Sequence, residues 1–200
     1  MANRKQVQKA SYFQIVKGNI ATYVKEQTEN SVMIDGRHFE LFESIEGKLK
    51  KVYIYDKEFS ENKKSEMLVI GVENSDGVME NLEVNFNSDY ARTFICKLNK
   101  IFPAENLIIK AYRVLNKEKS AEKKKDVYNE GLTVIQDGEK IQSAFNKENP
   151  LPEAVKKKKK NGEVEYDFFE RDEKLREIVD SFKNTLINDY KNESNDEDII

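Results

Sequence analysis

The run Met67-Leu68-Val69-Ile70-Gly71-Val72, the tetrad Asn74-Ser75-Asp76-Gly77 and the return stretch Val78 to Phe86 decide the fold class. A nearly continuous apolar run, a strong turn signal and a second strand of similar length make a hairpin. The period then changes. Ser88 can cap a helix from Asp89 to Phe102, with Ala91, Phe94, Ile95, Leu98, Ile101 and Phe102 on one stripe. Pro103 stops it.

Towards the N-terminus, Tyr12 to Val16 and Ile20 to Val24 flank Lys17-Gly18-Asn19, a further hairpin. Arg37 to Glu43 and Lys48 to Tyr55 flank Glu46-Gly47 and read as another, with Lys57 to Glu66 as a charged loop holding Lys63 and Lys64. Towards the C-terminus, Leu107 to Leu115 reads as a strand, Asn116 to Lys125 as a charged loop, and Leu132 to Gln136 as a short strand closed by Asp137-Gly138. The expected class is mainly β or α+β. Its strand and helix order suits an OB-fold-like five-stranded barrel, with a helix between strands 3 and 4, an extra N-terminal hairpin and a C-terminal helix.

The organisation along the chain follows. Residues 1–10 read as a flexible arm, 11–149 as the β-rich domain and 150–166 as a Pro/Lys-rich linker. Residues 167–190 contain an amphipathic helix with Leu175, Ile178, Val179, Phe182, Leu186 and Ile187 on one face, and 191–200 read as a disordered acidic tail. Charge divides along the same line. Residues 163–200 hold 13 acids and 5 bases, whereas residues 1–162 hold 24 acids and 29 bases. A mildly basic body joined to an acidic end suits a binder of single-stranded nucleic acid, although acidic tails also serve solubility.

Catalytic constellations are sparse. The eight glycines are scattered at turns rather than gathered into a phosphate loop. With His38 as the only histidine, histidine-rich metal sites and a Cys-His zinc cluster are excluded. Cys96 lies mid-helix beside Ile95, where cysteine behaves as a small hydrophobe rather than a nucleophile paired with His38. Carboxylate-only Mg²⁺ sites stay open among 37 acids. The expectation is a protein that is not an enzyme and carries no cofactor or metal. One cysteine, the polar start Met1-Ala2-Asn3-Arg4-Lys5 and no membrane-length apolar run suit a cytoplasmic protein, in the host cell cytoplasm if viral.

The positive signal is lysine interleaved with tyrosine on strands. In Lys48 to Tyr55, alternation puts Lys51, Tyr53 and Tyr55 on one face, and Lys50, Val52 and Ile54 on the other. A tyrosine ring offers a π-face to a base and an ammonium answers a phosphate. The same tyrosines also suit cross-strand pairs on a half-buried sheet. Lys110 with Tyr112, and Tyr23 with Lys25, repeat the pattern with one aromatic each. The run Lys156 to Lys160 calls for a polyanion, either nucleic acid or this chain's own Glu193, Asp196, Glu197 and Asp198, unless it is a plain linker or a nuclear-localisation signal.

Together these pieces resemble the bacteriophage single-stranded DNA-binding proteins, which join an OB-fold to an acidic C-terminal tail. The likeness covers the strand pattern of residues 11–145 and the last eight residues. In the bacterial relatives of that class the tail ends in acids followed by Ile-Pro-Phe; here Asp196-Glu197-Asp198 precedes Ile199-Ile200 without the aromatic. The resemblance implies a non-catalytic protein that coats and protects single-stranded DNA (or RNA) in replication or recombination. It also implies that Asp196, Glu197, Asp198, Ile199 and Ile200 recruit replication or recombination proteins and compete with DNA. The alternative is a β-rich protein–protein adaptor or virion component that associates through its C-terminal helix.

Overall fold

Period-two patterning builds the chain from β-strands, and the computed structural model describes residues 10–60, 63–159 and 162–196. The first seven strands are β1 (Ser11–Val16), β2 (Asn19–Val24), β3 (Ser31–Ile34), β4 (Arg37–Phe42), β5 (Ile45–Ser60), β6 (Lys63–Glu73) and β7 (Met79–Asn85). After α1 (Asp89–Ile95) come β8 (Leu107–Leu115), α2 (Lys117–Lys123), β9 (Tyr128–Gln136) and β10 (Glu139–Lys140). The C-terminal part holds β11 (Val155–Lys158), β12 (Val164–Asp167) and α3 (Phe169–Asp196). Ten strands form one sheet in the order β10-β9-β8-β5-β6-β7-β1-β2-β4-β3, and β11 pairs only with β12.

The protein is therefore mainly β with few helices and a large sheet. Among the described residues the sheet is open, ending at β10 and β3, and no closed barrel forms. The edge of β7 is taken instead by β1, in parallel, with Tyr12 beside Asn81 and Gln14 beside Glu83.

The hairpin expected around Glu46-Gly47 does not form. β4 pairs with β2 and β3, whereas β5 changes partner along its length. Ile45 to Gly47 pair with β8, and the rest of β5 pairs with β6. Gly47 is the bend where this exchange occurs. Its φ is +143°, and a Cβ there would meet the Glu73 carbonyl oxygen at 2.0 Å. The sequence signal was real, but it marks a bend inside one strand rather than a turn between two.

Three other expectations change in the same direction, towards more order. Residues 57–60 and 63–66 extend the β5–β6 ribbon, since Asp56, Lys57 and Glu58 face Glu66, Ser65 and Lys64 across it. The charged segment after β8 contains α2, capped by the Asn116 side chain accepting from the Lys119 N–H. Within the expected linker, Val155–Lys158 pairs with Val164–Asp167 as the β11–β12 ladder. The helix after Ser88 is shorter than its apolar stripe: α1 stops at Ile95 and a 3-10 turn covers Leu98–Lys100. Ala91, Phe94, Ile95, Leu98 and Ile101 are still buried, whereas Phe102 is exposed.

The core lies between one face of the sheet and the helices. Leu49, Val52, Leu68, Ile70, Leu82 and Val84 meet Phe94, Ile95 and Leu98 there. α3 belongs to this core, because Leu175, Ile178, Val179, Phe182 and Leu186 are all buried in the same cluster, with Ile187 left exposed. Burying such side chains stabilises by about 1.5–3 kcal/mol each. α3 also continues to Asp196, past the expected end near residue 190. Residues 1–9 and 197–200, covering most of the arm and Glu197, Asp198, Ile199 and Ile200, lie outside the described residues.

Arg176 fastens α3 to the sheet. Its guanidinium grips the Glu66 carboxylate with both Nη atoms and lies 4.5 Å over the Phe86 ring. The bond to Arg176 holds the Glu66 carboxyl below its ordinary value. A lowered folded value contributes stability above the ordinary glutamate range and loses it as the pH falls. The stability difference between wild type and Glu66→Gln should be full above the ordinary glutamate range and shrink steadily as the pH falls below it. Urea midpoints across that range check this; a difference independent of pH would contradict the pairing.

Candidate functional site

The sheet face opposite the core gathers the tyrosines. Cross-strand register puts Lys51, Tyr53, Tyr55 and Lys57 of β5 on that face, over Gly71, Val69 and Met67 of β6. It continues through Asn81, Glu83 and Asn85 of β7 to Tyr12 and Gln14 of β1. β2 adds Tyr23, and β4 adds Phe39 directly opposite Tyr23. The two rings meet edge to face at 6.1 Å.

Local chemistry sets the posture of each side chain. Gly71 lets Lys51 lie flat across the sheet, because a Cβ there would stand 2.4 Å from Lys51 Cγ. The ammonium thus lies 5.9 Å from the centre of the Tyr53 ring. Tyr53 and Tyr55 are half-buried and tilted against each other at 6.1 Å. The Tyr55 hydroxyl donates to Glu83 Oε1 at 3.0 Å, and Lys57 Nζ bonds the other oxygen of the same carboxylate. Tyr12, at 62% exposure, and Tyr23, at 52%, offer open ring faces. Tyr12, Gln14, Tyr23, Lys57 and Glu83 line a depression of about 270 Å³.

The electrostatics keep the phenols protonated. Burial, then Glu83 and Tyr12, push the Tyr53 phenol up; burial and then Glu83 do the same for Tyr55. The hydrogen bond to Glu83 raises the Lys57 ammonium above its ordinary value. The Glu83 carboxylate thus sits in the middle of the face, bonded by Tyr55 and Lys57, with Lys51 beside Tyr53. At its far edge, Lys25 is exposed in the bend after β2, two residues beyond Tyr23, and Arg37 shares the side of Phe39 on β4. Neither has an ion-pair partner among the described residues.

The expected residues thus divide. Lys51, Tyr53, Tyr55 and Tyr23 come together on one face, with Lys25 in the bend just beyond Tyr23. Lys110 and Tyr112 keep other company. Lys110 pairs with Glu43, and Tyr112 lies against Gly131, where a Cβ would stand 2.6 Å from the tyrosine hydroxyl. Tyr112 also lines a cavity of about 380 Å³ beside α1 with Arg92, Thr93 and Lys97. Lys97 is buried, and its ammonium ties α1 to β9 by donating to the carbonyls of Thr93 at 2.6 Å and Leu132 at 2.8 Å.

Sequence reasoning missed Tyr12, Lys57 and Arg37. Tyr12 was legible as a strand residue, but its place beside β7 depends on a parallel pairing 69 positions apart. Lys57 was hidden by the charged-loop reading of residues 57–66. Arg37 alternates with Phe39, which was a usable signal.

Elsewhere the Cys96 thiol is pushed up by burial at the C-cap of α1, and His38 sits on β4 opposite Val24 and Met33. No group of three or more His, Cys, Asp or Glu able to hold a metal occurs among the described residues. No described helix is long and apolar enough to cross a membrane. No protein-family model matches the sequence, and no curated protein or solved structure is significantly similar to it.

Proposed function

We propose that this chain is a non-catalytic single-stranded DNA-binding protein, phage-encoded, that coats and protects single strands during replication or recombination. The observation that carries the reading is the gathering of Tyr12, Tyr23, Tyr53 and Tyr55 with Lys51 and Lys57 on one sheet face. Successive bases stack on such rings, whatever their identity, while ammonium groups follow the phosphates. Support also comes from the order β5, β6, β7, α1, β8, β9, with β5 paired to both β6 and β8. An OB-fold has that order and binds strands across its second and third strands, which correspond here to β6 and β7 beneath the tyrosines. Lys110 and Tyr112 are not needed by this reading.

The adaptor alternative relies on the C-terminal helix, and that helix has spent its apolar face on this chain's own core. This favours the nucleic-acid reading. The acidic end then has a regulatory role: it competes with DNA for the basic face and recruits partner proteins. Removing residues 192–200 spares Leu175, Ile178, Val179, Phe182 and Leu186 of α3 and should tighten binding to fluorescent oligo-dT. A truncated chain that binds no better would remove the competition from the account.

Glu83 gives a second test. As Glu83→Gln the face loses its central negative charge and Lys57 is released towards phosphate. Binding should tighten at low salt, and the slope of log affinity against log salt should steepen by about 0.7, one added phosphate contact on a single strand. Weaker binding would instead make the carboxylate a contact to the ligand.

A further inference from the structure

The β11–β12 ribbon has two faces of different chemistry, and among the described residues only one has its charges paired. Val155 stands opposite Asp167, Lys156 opposite Tyr166, Lys157 opposite Glu165 and Lys158 opposite Val164. On one face Lys157 bonds Asp167, and Lys159 Nζ lies 3.7 Å from Glu165. These cross-strand pairs neutralise that face and brace the hairpin. The other face carries Lys156 and Lys158, neither with an ion-pair partner among the described residues, beside Tyr166 and Val164. Beyond them the Tyr166 and Phe168 rings stack at 6.5 Å and 25°, with the Arg171 guanidinium 4.1 Å over Phe168. Tyr166 is 55% exposed and Phe168 40%.

Every residue of β11, and Val164 to Tyr166 of β12, is exposed. A lone two-stranded hairpin is marginal in water, and one that also exposes an aromatic pair leaves that apolar area unburied. Unpaired lysines beside open rings complement a chain of phosphates and bases. Resting on the single-strand reading above, we infer that the Lys156, Lys158, Tyr166 face is a second contact for the same single-stranded nucleic acid. Lys156 to Lys159 thus divide by strand alternation: Lys157 and Lys159 hold the ribbon together, and Lys156 and Lys158 hold the ligand.

Binding of the full chain to a fluorescent oligo-dT of about 30 nucleotides, longer than one OB-type site, tests this across a salt series. Lys156→Gln/Lys158→Gln should flatten the salt slope by about 1.4, two lost phosphate contacts on a single strand. Lys156→Arg/Lys158→Arg should keep the wild-type slope. Tyr166→Ala should weaken binding about 5- to 150-fold, the effect of one lost stacking partner. If wild type and Tyr53→Ala differ while the Gln pair leaves affinity and slope unchanged, the ribbon is not a contact and the sheet-face reading stands. A Gln pair that alters oligomeric state instead would assign the face to self-association and overturn the inference. No binding by wild type at low salt would overturn both.

Discussion

Gly47→Ala is expected to lower the unfolding free energy by about 2–6 kcal/mol. Backbone strain at a non-glycine residue with this φ costs about 1–3 kcal/mol. Forcing a Cβ against neighbours that cannot yield costs about 1–3 kcal/mol more. Both apply, because the new atom would stand 2.0 Å from the Glu73 carbonyl oxygen and 3.0 Å from Asn74 Cα, which are backbone rather than flexible side-chain ends. The bend at Gly47 lets one strand serve β8 and β6, so the damage should reach both parts of the sheet. Urea unfolding with an unchanged slope would report the loss directly. A loss under about 0.5 kcal/mol, the range of neutral surface changes, would mean that β5 does not turn there.

Tyr53→Ala should weaken oligo-dT binding about 5- to 150-fold, the equivalent of about 1–3 kcal/mol for one stacked base. The ring lies against Tyr55, the Lys51 ammonium and Val69 on the face away from the main core cluster, so the domain should remain folded. Tyr12→Ala is the cleaner companion. At 62% exposure the ring contributes little to folding, and its removal should change stability by no more than about 0.5 kcal/mol while also weakening binding. Binding lost together with the unfolding transition in Tyr53→Ala, and kept in Tyr12→Ala, would make Tyr53 a structural side chain.

What was legible in the sequence was local. The Asn74–Gly77 turn, the cap at Ser88 and the stripes of α1 and α3 each follow from residues a few positions apart, and each appears in the fold. The outer part of the β5–β6 ribbon, residues 57–60 and 63–66, and the β11–β12 ribbon were illegible for one reason. Charged residues occupy both their faces, so no apolar alternation marks the strand; the order comes from pairs such as Lys64 with Glu58 and Lys157 with Asp167. The parallel pairing of β1 with β7 was illegible for another, because nothing local announces a partner 69 residues away.

The site inherits the same division. Lys51, Tyr53 and Tyr55 share a face by simple alternation along one strand, and that much could be read directly. That Tyr12 and Tyr23 join them depends on β1 filling the edge of β7. The central carboxylate is also a product of tertiary register. Glu83 alternates like any polar strand residue, and only the β5–β6–β7 ladder brings it under Tyr55 and Lys57.

The most direct measurement is the affinity of the full chain for fluorescent oligo-dT at several salt concentrations, read also through the intrinsic fluorescence of its nine tyrosines. The account predicts binding that weakens steadily with salt and quenches tyrosine emission as rings stack on bases. No binding at low salt, or binding indifferent to salt with tyrosine emission unchanged, would contradict it.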